Sequence, residues 1–586
     1  MKKTINEKYI SQIRCDFPIF DNNPSLVYFD NAASSQIPRI VVEKMNDYYY
    51  NYKANVGRTS GKIAVKSDNA VENIRTQIAK FLGTQSSQII WTSGSTESLN
   101  LAALSLYKYF KKIEIESRNT KKNGKLNLEK MEKKQQSSVQ IKNNKNNLDK
   151  SCNPNHLLTN SNSIINKELN NFLNFEAKSE VIITQIEHHS NFLVWPQYFK
   201  PVFWEIRENT FWWQDLRALI NKNTKILAIT QVSNFTGQIL PIKEIIKKIR
   251  TISPDICVIL DGSQAVLNLE IDLEDLGCDF YCFSGHKILA PNGIGVLWAK
   301  EKWLKILETP KFGGGMVNQV GFLGFFENES ENQFKKLQPN VGETRQNKQQ
   351  LIQNSTQNSP NPCKNDKQNS ILKIQNEISK TNQRQIQPTW QPYPHSWEAG
   401  TPNITGIIGL GAAIEYFKNL EKTYNLTKYK NELWEYLKTK IEQIPGICVI
   451  NPVIIDSVFW QNNNFQKITK QLTNQNSNQN IQTLKQTQKI SNLVSKEVSK
   501  KIQKTQISNF QVPILTFYHI QINSFDLSSL LSSFNICLRS GSLCCQPFAV
   551  NLPTNSVLRV SLNFYNTKAE IDFFVIKLVQ VIEILN

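Results

Sequence analysis

The stretch DFYCFSGHKILAPNGIGVLWAK (residues 279–300) sets two short apolar runs on either side of a single lysine, Lys287, and a glycine-containing turn. Runs of this length, rich in aromatic and β-branched residues and bounded by glycine, predict buried strands. A phosphate loop of the G-x-x-x-x-G-K-[ST] kind is excluded, because Ile288 follows the lysine. A lysine at a strand end ordinarily lays its stem along the core and keeps its ammonium in water. The alternative is an amine desolvated beside other polar groups, with a lowered pKa, that forms a Schiff base. The rest of the chain decides between them.

Upstream, SEVIITQ (179–185), TKILAITQVS (224–233) and DICVILDGSQ (255–264) repeat the strand pattern. LPIKEIIKKIRTIS (240–253) has helical spacing, with Pro241 where a first turn tolerates it. Strands alternating with helices imply an α/β fold whose mostly parallel sheet is covered on both faces. Ligands of such sheets bind at the carboxyl ends of the strands. His188, Asp261 and Lys287 all fall at or just after such ends. From residue 406, GIIGLGAAIEYFKNL predicts a helix, and beyond it helices and strands mix as a smaller second domain.

The chain has 586 residues, more than one ordinary core accommodates. Its hydrophobic content of 40% is low for that length, because Asn, Gln and Lys crowd into three tracts, 108–180, 331–393 and 461–508. Their charge excesses of +7, +5 and +7 equal the whole +19 of the protein. A pI near 9.3 would ordinarily suggest nucleic acid. Here the charge lies in segments too polar to fold alone, so disordered insertions are predicted and nucleic acid is set aside. Ten cysteines show no paired spacing, and no zinc-site pattern or other metal site is expected. No apolar run is long enough for a transmembrane helix, and the N-terminus lacks a secretory signal.

Three further motifs carry chemistry. Asp261 closes VILDGSQA, and an acid at a buried strand end needs a partner. A protonated pyridine nitrogen is one, and pyridoxal phosphate (PLP) pairs a Schiff-base lysine with an aspartate on that nitrogen. TSGSTESLN (92–100) supplies hydroxyls and N–H groups at a helix start, a site for phosphate. EHHSN (187–191) offers an imidazole to stack on a ring. Each motif alone has a structural reading as a turn or a cap. Their order, phosphate loop, His, Asp, Lys, is specific.

That order resembles the fold-type I, class V aminotransferase-like PLP enzymes, and among them the cysteine desulfurases of the SufS type. The resemblance runs from YFDNAASSQIP (28–38) to LRVSLNFYNT (558–567), interrupted by the three tracts. It implies a segment 1–27, a PLP-binding large domain 28–330, a return to that domain and to a dimer contact over 394–415, and a small domain 416–586. On this pattern Lys287 is the Schiff-base lysine, Asp261 pairs the pyridine nitrogen and His188 stacks on the ring. Gln264 approaches the phenolic oxygen with Asn234 beside it, and Ser95, Thr96, Ser284 and His286 hold the phosphate. Thr401 of EAGTPN reaches the cofactor of the other subunit, which implies a homodimer. Arg559 grips the substrate carboxylate, a role suited to a guanidinium fork, with Arg58, Asn234 and Arg539 also on the substrate side.

In LRSGSLCCQPF (538–548), similar sequences have Arg-x-Gly-x-x-Cys, and five residues on from Arg539 stands Cys544. Cys544 is then the nucleophile that takes sulfur from L-cysteine as a persulfide and leaves L-alanine. Cys545 is read as a bystander, and Cys257 and Cys282 as core. The resemblance extends to selenocysteine as a substrate, to a sulfur-acceptor protein of the SufE or SufU type, and to iron–sulfur cluster assembly. Two departures stand out. Gly57, not histidine, precedes Arg58, and Ser542-Leu543 replaces the usual His-His before the nucleophile. A class V aminotransferase or C–S lyase in which Cys544 is incidental remains the alternative. A binding protein on a dead enzyme fold would require Lys287, Asp261 or His188 to be lost. Because the resemblance starts near Tyr9, too little precedes it for a transit peptide, so a bacterial cytosol or a plastid that encodes the protein is expected. The Asn/Lys/Ile-rich inserts favour the plastid.

Overall fold

Seven strands between residues 89 and 299 hydrogen-bond into one sheet, and most of them are apolar on both faces. The computed structural model describes residues 2–5, 7–57, 60–137, 179–322, 386–456, 458, 511–554 and 556–586. The strands are β1 (Ile89–Thr92), β2 (Glu180–Thr184), β3 (Lys200–Trp204), β4 (Thr224–Thr230), β5 (Cys257–Asp261), β6 (Phe280–Ser284) and β7 (Gly295–Ala299). Their order is β1-β7-β6-β5-β4-β2-β3. β6, β5, β4, β2 and β3 run parallel, whereas β7 is antiparallel to both β6 and β1. The turn at 285–294 is too short for a parallel crossover, so the chain returns beside β6 in the opposite sense. Every residue of β1, β2, β5, β6 and β7 is buried. That explains the unbroken apolar runs.

Helices cover the sheet. α1 spans Lys62–Phe81, α2 Ser95–Ser137, α3 Ile242–Ile252 and α4 Ile404–Thr423. In α3 the residues Ile242, Ile245, Ile246 and Ile249 are buried along one stripe, the spacing expected of a one-faced helix. Pro241 stands one residue earlier than expected, at the N-cap. A second, antiparallel sheet follows from β8 (Ile447–Val449), β9 (Ile514–His519), β10 (Arg539–Gly541) and β11 (Val557–Ser561), in the order β8-β9-β11-β10. α5 (Leu426–Ile441), α6 (Ser524–Ser532) and α7 (Lys568–Leu585) share its core through Leu433, Leu437, Leu527, Phe574 and Leu578. Residues Phe312–Gly400 separate as a unit of their own, in which Val317–Phe322 pairs antiparallel with Ile386–Trp390. Among the described residues no helix is long and apolar enough to cross a membrane.

Two boundaries differ from expectation. α2 runs on to Ser137, well inside the tract expected from 108. Its aromatic residues explain the first part of that continuation: Tyr107 packs on Tyr198, and Tyr109 and Phe110 pack on Trp303. The second tract was expected to reach 393, yet Ile386–Trp390 is a paired strand. Residues 138–178, 331–385 and all of 461–508 from the three tracts lie outside the described residues. Neither β1 nor β3 was singled out by pattern, since β1 is very short and Pro201 interrupts β3.

The 93–95 turn approaches β7 backbone to backbone, with no side chain that could give way. A Cβ on Gly295 would lie 2.4 Å from Gly94 Cα and 2.8 Å from the Phe283 carbonyl oxygen, both backbone atoms that cannot swing away. Gly295→Ala is therefore expected to destabilise the protein by about 1–3 kcal/mol or more through overpacking. Chemical denaturation would measure it, and a midpoint equal to the parent's would contradict the packing described.

Candidate active site

The carboxyl ends of β1, β2, β4, β5 and β6 lie along one edge of the sheet, and the polar residues after them converge there. Asp261 ends β5, is 4% exposed, and accepts the Ser263 N–H at 3.0 Å. Lys287 follows β6 in a single 3-10 turn, half-buried. Burial lowers its pKa, Asp261 opposes that shift, and Arg559 adds to it. Among the described residues neither Asp261 nor Lys287 forms an ion pair.

His188 follows β2 and caps the short helix His189–Phe192. Its Nδ1 accepts the Ser190 N–H at 3.1 Å, which leaves the proton of the neutral ring on Nε2. Burial and then Lys287 push its pKa down to about 4, so the ring is neutral at pH 7. The Ser190 hydroxyl also shares a 2.7 Å hydrogen bond with that of Thr96.

At the start of α2, the Ser95 N–H donates to Ser284 Oγ at 2.9 Å, and the two hydroxyls are 3.0 Å apart. Ser95, Thr96 and Ser284 thus gather hydroxyls and N–H groups where a helix N-terminus favours an anion. The His286 ring also reaches the Ala33 carbonyl. Burial and Lys287 push its pKa down to about 4.

Gln264 donates from Nε2 to the Ala32 carbonyl at 2.7 Å. Asn234 donates from Nδ2 to the Leu543 carbonyl at 2.7 Å, while its own carbonyl accepts Arg559 Nη1 at 2.9 Å. Arg559 is 3% exposed and pairs through Nη2 with Asp30 Oδ1 at 2.9 Å. Its buried Nε has no partner among the described residues. Arg539 lies directly opposite Arg559 in the β10–β11 register and is exposed. The Thr401 hydroxyl is bonded to Asn55 Oδ1 at 3.4 Å, and no hydrogen bond ties it to this cluster among the described residues. Arg58 lies outside the described residues.

Cys544 is half-buried on the turn between β10 and β11. It lies within electrostatic reach of Lys287 and Arg559. Cys545 is buried beneath it, its thiol donating to the Gln185 carbonyl at 3.7 Å, and burial pushes that thiol far above the usual range. Leu543 stands where similar sequences carry histidine, and its side chain is core, 3% exposed. Gly57, the other departure, has φ +94°, a conformation in which a histidine would be strained.

Three participants escaped the sequence reading. Asp30, in YFDNAASSQIP, is the mate of Arg559. His189, the second histidine of EHHSN, donates its backbone N–H to the Cys544 carbonyl at 2.7 Å. Glu187 is wholly buried and receives Thr184 Oγ1 at 2.6 Å and Asn191 Nδ2 at 2.7 Å. Trp195 Nε1 occupies Asn191 Oδ1 at 3.0 Å and so fixes which way the amide points. Burial, reinforced by Asp261, pushes the Glu187 carboxyl up to about 8. Only the run of polar letters after a strand hinted at these roles.

A desolvated amine, a buried carboxylate without a cation, a neutral imidazole and an anion cradle are the groups that PLP requires, and the orphaned Arg559 Nε and Ser263 Oγ leave donors for a ligand. The residues present fit that cofactor. The sequence pattern of the aminotransferase class-V family matches residues 27–158, 156–344, 376–476 and 466–574, and the chain belongs to this family, whose members are PLP enzymes. A probable cysteine desulfurase of Borreliella burgdorferi is 26% identical over 99% of this chain and 98% of its own length. A cysteine desulfurase of Wigglesworthia glossinidia brevipalpis is 27% identical over 98% and 97%. The apo cysteine desulfurase of Thermococcus onnurineus NA1 superposes with a TM-score of 0.63 over 100% of both chains at 20% identity. The cysteine desulfurase CsdA of Escherichia coli gives 0.61 over 99% of this chain and 100% of its own, at 21%. The fold is that of the fold-type I PLP enzymes.

Glu187 generates a prediction with a definite sign. Its folded pKa, about 8, lies above the ordinary carboxylate value of 4.5. Between those values the folded state holds a proton that the unfolded state has lost, so stability falls as pH rises across that window and levels off above it. Glu187→Gln still accepts the Asn191 Nδ2 donor through Oε1 and can donate from Nε2 to Thr184 Oγ1, whose hydroxyl then turns from donor to acceptor, and it does not titrate. Its Tm should exceed the parent's by a margin that widens from about pH 5 to about pH 8. Parallel Tm–pH curves would contradict a buried, protonated Glu187.

Proposed function

We propose that this protein is a cysteine desulfurase of the SufS type, which removes sulfur from L-cysteine and leaves L-alanine. The observation that carries the proposal is Cys544, held on a short turn beside Lys287 and Arg559 rather than buried like Cys545. When bound, PLP would act as an electron sink that labilises bonds around the substrate's Cα and Cβ.

Asp261 would keep the pyridine nitrogen protonated, His188 would stack on the ring, and Gln264 with Asn234 would lie at the phenolic oxygen. Ser95, Thr96, Ser284 and His286 would hold the phosphate. Lys287, its pKa lowered by burial, would anchor the cofactor and, once released, move a proton at the substrate Cα. Arg559 has spent two of its five N–H donors on Asp30 and Asn234, and Nε stays available for the substrate carboxylate. Arg539 would stand at the rim and Arg58 beside the substrate. The Cys544 thiolate would attack the substrate sulfur, forming the S–S bond as the C–S bond breaks. The electron pair left on Cβ takes a proton, giving alanine and one persulfide per cysteine.

An exposed Thr401 supports a homodimer in which this residue serves the partner's site. A sulfur acceptor of the SufE or SufU type would then take the persulfide towards iron–sulfur clusters, in a plastid or a bacterial cytoplasm. Selenocysteine would be a second substrate.

Borohydride reduction of the purified holoenzyme should fix a pyridoxyl group on Lys287, mapped by peptide mass spectrometry. A pyridoxyl group on any other lysine would overturn the anchor assignment. Cys544→Ala should keep the cofactor's absorbance but lose both persulfide and alanine, whereas Cys545→Ala should retain most turnover. Full activity in Cys544→Ala, or a keto acid in place of alanine, would point to an aminotransferase or C–S lyase instead.

A further inference from the structure

Leu543 and Cys544 have φ of 54° and 56°, two consecutive non-glycine residues in the left-handed region. L side chains are sterically disfavoured there, and such residues persist only where their surroundings over-determine them. Within the turn, the Cys545 N–H reaches back to the Ser542 carbonyl at 2.9 Å. From outside, Asn234 holds the Leu543 carbonyl at 2.7 Å. His189 holds the other side twice. Its backbone N–H meets the Cys544 carbonyl at 2.7 Å, and its Nε2 accepts the Gln546 N–H at 3.3 Å. Between those two bonds, the Cys545 thiol reaches Gln185, four residues before His189. The second histidine of EHHSN therefore grips the nucleophile turn, while the first faces Lys287 and Asp261.

We propose that His189 is a positioning residue for Cys544. Ring and backbone together clamp the turn in its left-handed form, so that Sγ meets the incoming sulfur in one orientation. This inference rests on the desulfurase reading for its consequence in catalysis, but the clamp itself is a property of the turn. Attack of one sulfur on another requires alignment, and a small misplacement of a reacting group costs a large factor in rate. Only a ring nitrogen with a free lone pair accepts the Gln546 N–H, so glutamine, through Oε1, is the substitution that restores an acceptor.

The test compares parent, His189→Ala and His189→Gln holoenzymes by two measurements. One is the rate at which iodoacetamide alkylates Cys544 without substrate. The other is the pair kcat and KM for alanine formation. His189→Ala is expected to lower kcat about tenfold with KM within about twofold and the cofactor absorbance unchanged. Its Cys544 alkylation rate should shift at least about threefold as the turn loosens, and His189→Gln should recover most of both effects. Parent-like alkylation and kcat in His189→Ala would overturn the proposal. So would equal losses in both variants with an altered cofactor absorbance, since the effect would then run through His188. If the parent forms no persulfide, the desulfurase reading fails, and the alkylation rates still decide whether His189 holds the turn.

Discussion

Asp261, Lys287 and Arg559 are three ionisable groups gathered at one sheet edge, where water is largely excluded, and their pairing constrains the rest of the site. Moving such charges out of water is costly unless each finds a partner. Arg559 finds Asp30 at 2.9 Å. Asp261 and Lys287 come from the adjacent strand ends of β5 and β6 and act on each other without forming an ion pair. A site that keeps an acid and an amine apart in this way is prepared for a ligand that bridges them. The antiparallel return of β7 serves the same end, since it brings Gly295 against Gly94 and leaves the start of α2 open beside Ser284.

The second sheet completes the site from the opposite end of the chain. β11 delivers Arg559, and β10, paired to it, delivers the turn that carries Cys544. Asp30 bridges to Ser561 of β11, so the segment that opens the family pattern and the strand near its close are tied through backbone as well as charge. Asn234 joins both halves, bonding Arg559 with its carbonyl and Leu543 with its amide. Residues more than three hundred positions apart in sequence thus share one hydrogen-bonded frame. The long polar tracts enter it at no described point.

Much of this was readable in the sequence wherever the physics is local. β2, β4, β5, β6 and β7 announce themselves as apolar runs because both faces are buried, and Asp261, His188 and Lys287 follow from their places at strand ends. The fold class and these residues needed no knowledge of distant contacts. By contrast, β1 is too short and β3 too interrupted to show a period. Asp30, Glu187 and His189 act through partners far away in sequence or through backbone groups, which no local pattern records. The helix beyond 108 was missed for a different reason. A tract rich in Lys, Glu and Asn is polar enough to suggest disorder, yet Lys and Glu are also good helix formers, and the anchored aromatics of α2 start the run.

The two departures from the family pattern bear on where protons come from. The positive φ of Gly57 and the burial of Leu543 mean that neither position can receive a histidine without rebuilding its loop. His188 and His286 do not replace them as acids: burial and Lys287 hold both near 4, so at neutral pH each ring is a neutral donor or stacking surface. Glu187 keeps its proton up to about 8 but is sealed behind Thr184, Asn191 and Trp195. On the proposed reading, Lys287 hands the proton to the substrate carbon. Its lowered pKa, a consequence of the same burial that makes it a good anchor, is what allows one amine to hold the cofactor and then to shuttle that proton. On that reading, the lysine that interrupts the apolar run at 279–300 serves both tasks with one desolvated amine.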